Sequence, residues 1–173
     1  MQRKKGHNTG SAMNESPDLR KILKAWPYDP EHDARIVRGD DDRELLQVRT
    51  PLGLEQYELD DRPDGLRPHG MESALDYQTH RLNQAKFSGR EADFELSPQE
   101  CSELFHEGTL YYFRYVRLFQ LKDWARTIRD TARNLRALTQ FGRSGVGFLL
   151  VFSSTYGPFI PGAGIALPWA WHT

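Results

Sequence analysis

The chain has 173 residues and sets 23 Lys and Arg against 24 Asp and Glu, a net charge of −1, which excludes a large multidomain enzyme and a free-standing polycation. A hydrophobic fraction of 38%, with 4 Trp, 7 Tyr and 9 Phe, is enough for one modest core. One cysteine excludes an intramolecular disulfide and a cysteine-based zinc site, and it fits a reducing cytoplasm.

Charge stops abruptly along the chain, because no Asp, Glu, Lys or Arg follows Arg143. Residues 1–16 read as a disordered polar tail: Arg3, Lys4 and Lys5 are clustered, and no apolar stretch of signal-peptide length is present. Met13 is a second candidate translation start. Residues 144–173 read as an uncharged apolar tail whose longest apolar core, Val146 to Phe152, is far short of the roughly 20 residues of a membrane helix. Pro158, Pro161 and Pro168 interrupt the rest, and neither helical nor strand periodicity survives. The expectation is a truncated or frameshifted end, with packing on a partner or weak membrane association as the other readings. A single α+β domain is expected over 17–143, and a membrane is not an expected partner.

Ser16, Pro17 and Asp18 form a helix start, and Leu19, Ile22 and Leu23 repeat on one face until Trp26-Pro27 stops the helix. Ala34 to Arg38, Arg43 to Arg49 and Leu54 to Leu59 are β-rich runs separated by Gly39-Asp40-Asp41-Asp42 and Thr50-Pro51-Leu52-Gly53, which predicts a three-stranded antiparallel meander. Neither face of that sheet is cleanly apolar, so it is expected to lean on helices.

Met71 to Phe87 reads as an amphipathic helix burying Met71, Ala74, Leu75, Leu82 and Ala85. Ser97-Pro98-Gln99-Glu100 is a capping-box pattern. Behind it Cys101, Leu104, Phe105, Gly108, Tyr112, Tyr115, Val116 and Phe119 fall on one face. After Leu121-Lys122-Asp123 a last helix carries Trp124, Ile128, Ala132, Leu135 and Leu138 on one stripe, so the last two helices should form an antiparallel hairpin. The fold class is therefore α+β, a small antiparallel β-meander followed by a helical region with a C-terminal αα-hairpin.

The order of Gly53-Leu54-Glu55-Gln56, Arg62-Pro63-Asp64-Gly65-Leu66-Arg67-Pro68-His69-Gly70, Glu72-Ser73-Ala74-Leu75-Asp76-Tyr77, Tyr111-Tyr112-Phe113-Arg114-Tyr115 and Arg129-Asp130-Thr131-Ala132-Arg133-Asn134-Leu135 resembles the N-terminal region of bacterial UVR-motif proteins. The likeness spans Leu19 to Leu138 and is most specific in the stretch from Arg62 to Gly70. The UVR motif is a short charged helical hairpin used for protein contacts in excision-repair subunits and protease adaptors. It would lie downstream, where the uncharged tail stands instead. The resemblance implies a bacterial, cytoplasmic protein that works through protein contacts, and it carries no catalytic residue with it.

Three constellations bear on chemistry. Arg62, Asp64, Arg67 and His69 sit in a loop that repeats Arg-Pro-x-Gly, where prolines fix φ and glycines supply left-handed corners, so its guanidinium groups could be held for an anion or a partner's carboxylates. Pairing with Asp60, Asp61 or Glu72 in a plain connector is the simpler account. Glu103 and His106 have the spacing of a di-iron helix motif, but such a site needs two of these and two more carboxylate helices. Glu72, Asp76 and His80 share one side of a helix, and Cys101 near a helix start has no readable base beside it. No catalytic residue, metal ligand or cofactor is expected.

The third is electrostatic. Seven Arg and one Lys stand against Asp123 and Asp130 between Arg114 and Arg143. Arg126, Arg129, Arg133 and Arg136 form a stripe opposite Trp124, Ile128, Leu135 and Leu138, so burying the apolar side would leave a basic ridge exposed. Such a ridge suits nucleic acid or an acidic protein, unless acidic segments of the same chain neutralise it. The sequence therefore points to a non-enzymatic protein-interaction or adaptor module, with nucleic-acid binding through the ridge and small-anion binding at the 62–70 loop as alternatives.

Overall fold

The structure is a computed structural model and describes residues 18–141. The expected tails, 1–16 and 144–173, lie outside the described residues, as do Ser16 and Pro17 of the first helix start. The described elements are α1 (Arg20–Ala25), β1 (Ala34–Arg38), β2 (Glu44–Arg49), β3 (Leu54–Glu58), α2 (Ala74–Phe87), α3 (Pro98–Gln120) and α4 (Trp124–Phe141).

The sheet is an antiparallel meander in the order β1-β2-β3, with Ile36 opposite Leu46 and Leu46 opposite Tyr57. Its first turn closes with Asp42 in the left-handed region at φ 65° and a bond from the Gly39 N–H to the Arg43 carbonyl at 2.8 Å. The second is closed by paired bonds between Thr50 and Gly53. Strand alternation sends Leu46, Val48, Tyr57 and Leu59 to one face, where they are buried against Leu118 of α3, and Ala34 and Leu121 flank them. The opposite face is a polar ladder in which Gln47 accepts from Arg35 and donates to Gln56. The sheet thus leans on a helix as expected, and the inner face is the one that α3 covers.

A second core cluster joins Ala74 and Leu75 of α2, Leu96, Leu104 of α3, and Ala137 and Phe141 of α4. Helix α2 begins at Ala74, later than the apolar pattern predicted, because Ser73 is the N-cap and its hydroxyl accepts the Asp76 N–H at 3.1 Å. Helix α3 starts with the predicted capping box: Ser97 accepts the Glu100 N–H, and the Glu100 carboxylate accepts the Ser97 N–H at 2.8 Å. Helices α3 and α4 form the expected hairpin through Lys122, at φ 62°. Asp123 caps α4, accepting the Arg126 N–H at 3.1 Å.

The faces these two helices bury differ from the sequence reading. Helix α3 buries Leu104, Glu107, Gly108, Tyr111, Arg114 and Leu118, whereas Phe105, Tyr112 and Val116 are only partly covered and Phe119 is exposed. Helix α4 buries Asp130, Ala137 and Phe141, and turns Trp124, Ile128, Ala132 and Leu135 outward. The expected basic ridge divides: Arg126 and Arg133 are drawn against the domain at 25% and 11% side-chain exposure, whereas Arg129 and Arg136 stay exposed at 41% and 47%.

Candidate functional site

The arginines of the hairpin meet a set of carboxylates and carbonyls of the same chain. Arg114, at 1% side-chain exposure, makes a bidentate pair with equally buried Asp130 at 2.7 and 2.9 Å. Its remaining nitrogen donates to the carbonyls of Glu58 and Asp61 at 2.6 and 2.7 Å. Arg129 donates to the Leu59 carbonyl at 2.5 Å and to Asp130 at 3.0 Å. Two arginines of the hairpin therefore clamp the chain where β3 runs into the 62–70 loop.

Glu107 is the second hub and is wholly buried. Its carboxylate accepts the N–H groups of Ala74 and Leu75, at 2.7 and 3.1 Å, supplying from α3 the partners that the first turn of α2 lacks. It also pairs with Arg62 at 3.1 Å and with Arg133. The Arg133 guanidinium lies 3.7 Å from the centre of the Tyr111 ring. Burial lowers the Arg133 pKa to about 9, still leaving it charged at neutral pH. Burial pushes the Tyr111 hydroxyl up to about 12, so that side chain stays neutral beside the cations.

The other ridge members are also engaged. Arg126 pairs with Asp123 at 2.8 Å and with Glu44 of β2 at 2.7 Å. Arg136 reaches Asp76 of α2 at 2.8 Å. The four arginines are on one side of α4 as the sequence indicated, but each meets a carboxylate of its own chain.

The 62–70 loop shows the left-handed glycines its pattern predicted, Gly65 at φ 70° and Gly70 at φ 74°, and adds His69 at φ 55°. Its arginines are not held as a matched pair. Arg62 is buried, with Nε 2.9 Å from Asp64 and Nη1 on Glu107, while Arg67 is largely exposed and 3.3 Å from Asp61. His69 stacks on Tyr77 at 3.9 Å between ring centres and lies 3.8 Å from Glu103. Arg62, Arg67, His69, Glu103 and His106 do line one cleft, so the structure brings the loop to the Glu103/His106 turn of α3. Among the described residues, no group of three or more His, Cys, Asp or Glu is placed to hold a metal ion. Cys101 is half-buried, and burial, then the Glu100 charge, push its thiol pKa up, away from the reactive thiolate.

Glu107 and Arg114 escape the sequence reading because both lie on the side of α3 away from the stripe of Cys101, Phe105, Tyr112 and Phe119. A signal was present. Arg114 and Asp130 are each eight residues from Lys122, and Tyr111 and Arg133 are each eleven, so an antiparallel hairpin turning at Lys122 brings each pair to one level.

With Glu107, Arg114, Asp130 and Arg133 turned inward, the open feature of the hairpin is its outer face. Trp124, Ile128 and Leu135 of α4 are 50%, 68% and 59% exposed, and Phe119 of α3 is 58% exposed. Trp124 and Phe119 meet edge to face at 5.3 Å beside the turn. Ala125, Thr131, Ala132 and Thr139 complete the outward side of α4, so that side carries no charge. A contiguous apolar surface of this kind marks an interaction site more often than isolated exposed side chains do.

Among the described residues, no helix is long and apolar enough to cross a membrane. No family model, curated protein or solved structure matches this chain.

Proposed function

We propose that this chain is a non-enzymatic protein-interaction module of the bacterial cytoplasm, docking through the outer face of the α3–α4 hairpin. The observation that carries this reading is the exposure of Trp124, Ile128, Leu135 and Phe119 on one uncharged side of two packed helices. The resemblance to UVR-motif proteins, whose motif serves protein contacts, points the same way. Binding of nucleic acid through the arginines is disfavoured because Arg126, Arg129, Arg133 and Arg136 are held by Glu44, Asp123, Asp130, Glu107 and Asp76.

A photo-crosslinking side chain at position 128 tests the reading in living cells, with the same group at Gln56 on the outer sheet face as control. Discrete protein adducts are expected from position 128 and not from position 56, and Leu135→Glu in the same chain should abolish them. Equal labelling from both positions, or adducts indifferent to Leu135→Glu, would remove the outer face as the docking site.

A further inference from the structure

We infer that the cleft between the 62–70 loop and the Glu103/His106 turn of α3 binds a small organic oxyanion, a phosphate ester or a carboxylate, between the buried Arg62 and the exposed Arg67. The site is separate from the docking face proposed above, since His106 and Phe119 are about 20 Å apart along α3. The cleft holds about 630 Å³, within the range of small-molecule sites.

The first argument is the state of Arg62, whose side chain is 10% exposed and lines the cleft. Among the described residues, its hydrogen bond runs from Nη1 to Glu107, a carboxylate that also takes Arg133 and the N–H groups of Ala74 and Leu75. Its Nε lies 2.9 Å from Asp64 without hydrogen-bond geometry, because the same carboxylate oxygen accepts the Leu66 N–H, and the buried Nε–H has no acceptor. A guanidinium has five donors in a rigid fork. This one is fixed in place by its own chain and uses few of them, which preorganises it for the paired oxygens of an anion.

The second argument is what surrounds that guanidinium. His69 takes a left-handed backbone at φ 55°, and its ring stacks on Tyr77 at 3.9 Å, which sets the imidazole on the cleft wall. His106 lines the same space from α3. Arg67 is 61% exposed and 3.3 Å from Asp61, a surface contact that costs little to exchange for a ligand. Among the described residues that line the cleft, Glu103 is the one carboxylate, and it is drawn aside by the Gln99 amide at 3.3 Å and by His69 at 3.8 Å. A cation would meet two guanidiniums there, whereas an oxyanion meets donors. Leu66, Pro68 and Ala74 add an apolar wall, which favours an anion carried on a small carbon skeleton over a bare ion.

The test is an NMR titration of the full chain with phenyl phosphate and, separately, with benzoate, following the His69 and His106 ring protons. Saturable shifts of both rings are expected, with a Kd of about 1 mM or tighter for the better probe, and the tighter probe identifies the head group. Arg67→Ala should weaken that binding by about tenfold, because it removes a charge-assisted bond. Glu103→Gln should tighten it by about threefold or more, because it removes a like charge from the lining. Circular dichroism should be unchanged in both, since each side chain is at least 41% exposed. Should Arg67→Ala unfold, Ser102→Asp at an exposed position of the lining serves instead and should abolish binding. No saturable shift with either probe at about 10 mM overturns the inference. So does an affinity that neither Arg67→Ala nor Glu103→Gln alters, which would place the anion elsewhere. A Glu103→Gln variant that binds more weakly also overturns it, because the carboxylate would then be a ligand contact rather than a repelling charge.

Discussion

The two sides of the α3–α4 hairpin invert the usual arrangement of a helix pair. The inner side holds Arg114, Asp130, Glu107 and Arg133 among Leu104, Tyr111 and Leu118, whereas the outer side carries Trp124, Ile128, Leu135 and Phe119 with no charge. Buried ions are tolerated on the inner side because each is saturated: Arg114 by a carboxylate and two carbonyls, Glu107 by two guanidiniums and two helix N–H groups. The difference teaches that amphipathic periodicity identifies the two faces of a helix without saying which one the domain takes inside. A charged face goes inward where the rest of the chain supplies its counter-charges.

The largest expected effect breaks the inner side. Arg114→Met removes the donor that holds the Glu58 and Asp61 carbonyls and leaves the buried Asp130 carboxylate with Arg129 alone, and it should lower unfolding free energy by about 3–5 kcal/mol in urea titrations. Adding Asp130→Leu should recover part of that loss, since replacing both ions by apolar groups removes the uncompensated charge. A loss below about 1 kcal/mol for Arg114→Met would mean that the inner network is not what fixes the hairpin's orientation.

A smaller effect comes with acid. Burial raises the Glu100 carboxyl pKa, but hydrogen bonds from Ser97 and Gln78 and the Arg81 charge outweigh it and hold the pKa below its ordinary value. Burial likewise raises the Asp123 pKa, but hydrogen bonds from the Arg126 side chain and N–H outweigh it and hold the pKa below its ordinary value. A carboxyl with a lowered folded pKa adds stability that is complete above its unfolded pKa, about 4.3 for Glu and 3.9 for Asp, and lost as pH falls through the folded value. The melting temperature should therefore be flat from pH 7 to about 5 and fall below about 4. Glu100→Gln/Asp123→Asn should show a shallower fall. Identical acid profiles for parent and variant would separate these caps from acid unfolding.

The smallest effect sharpens the outer side. Ile128→Glu should change the stability of the isolated copy by no more than about 0.5 kcal/mol, because the side chain is 68% exposed. That measurement belongs at low protein concentration, where self-association adds nothing to the melting temperature. A loss of about 2 kcal/mol or more would mean that Ile128 is packed in the single copy and that the two sides differ less than their exposures indicate.

What the sequence determined by itself was local. The meander is legible in the β-rich runs and their Gly-Asp and Thr-Pro-Leu-Gly turns, the start of α3 in the capping box from Ser97 to Glu100, and the hairpin in the break at Leu121-Lys122-Asp123. Strand alternation and capping depend on residues within a few positions of one another, so a linear reading reaches them. Tertiary structure alone decided which way α3 and α4 face, and with that the fate of Arg62 in the loop and of the four arginines of α4. The carboxylate that captures Arg62 and Arg133 and caps α2 is Glu107, 45 residues from Arg62, and the carbonyls that hold Arg114 lie more than 50 residues upstream. Such pairings form only when the chain brings distant groups to one buried point. There, with water excluded, satisfying an ion's hydrogen bonds decides more than the hydrophobicity of the face that carries it.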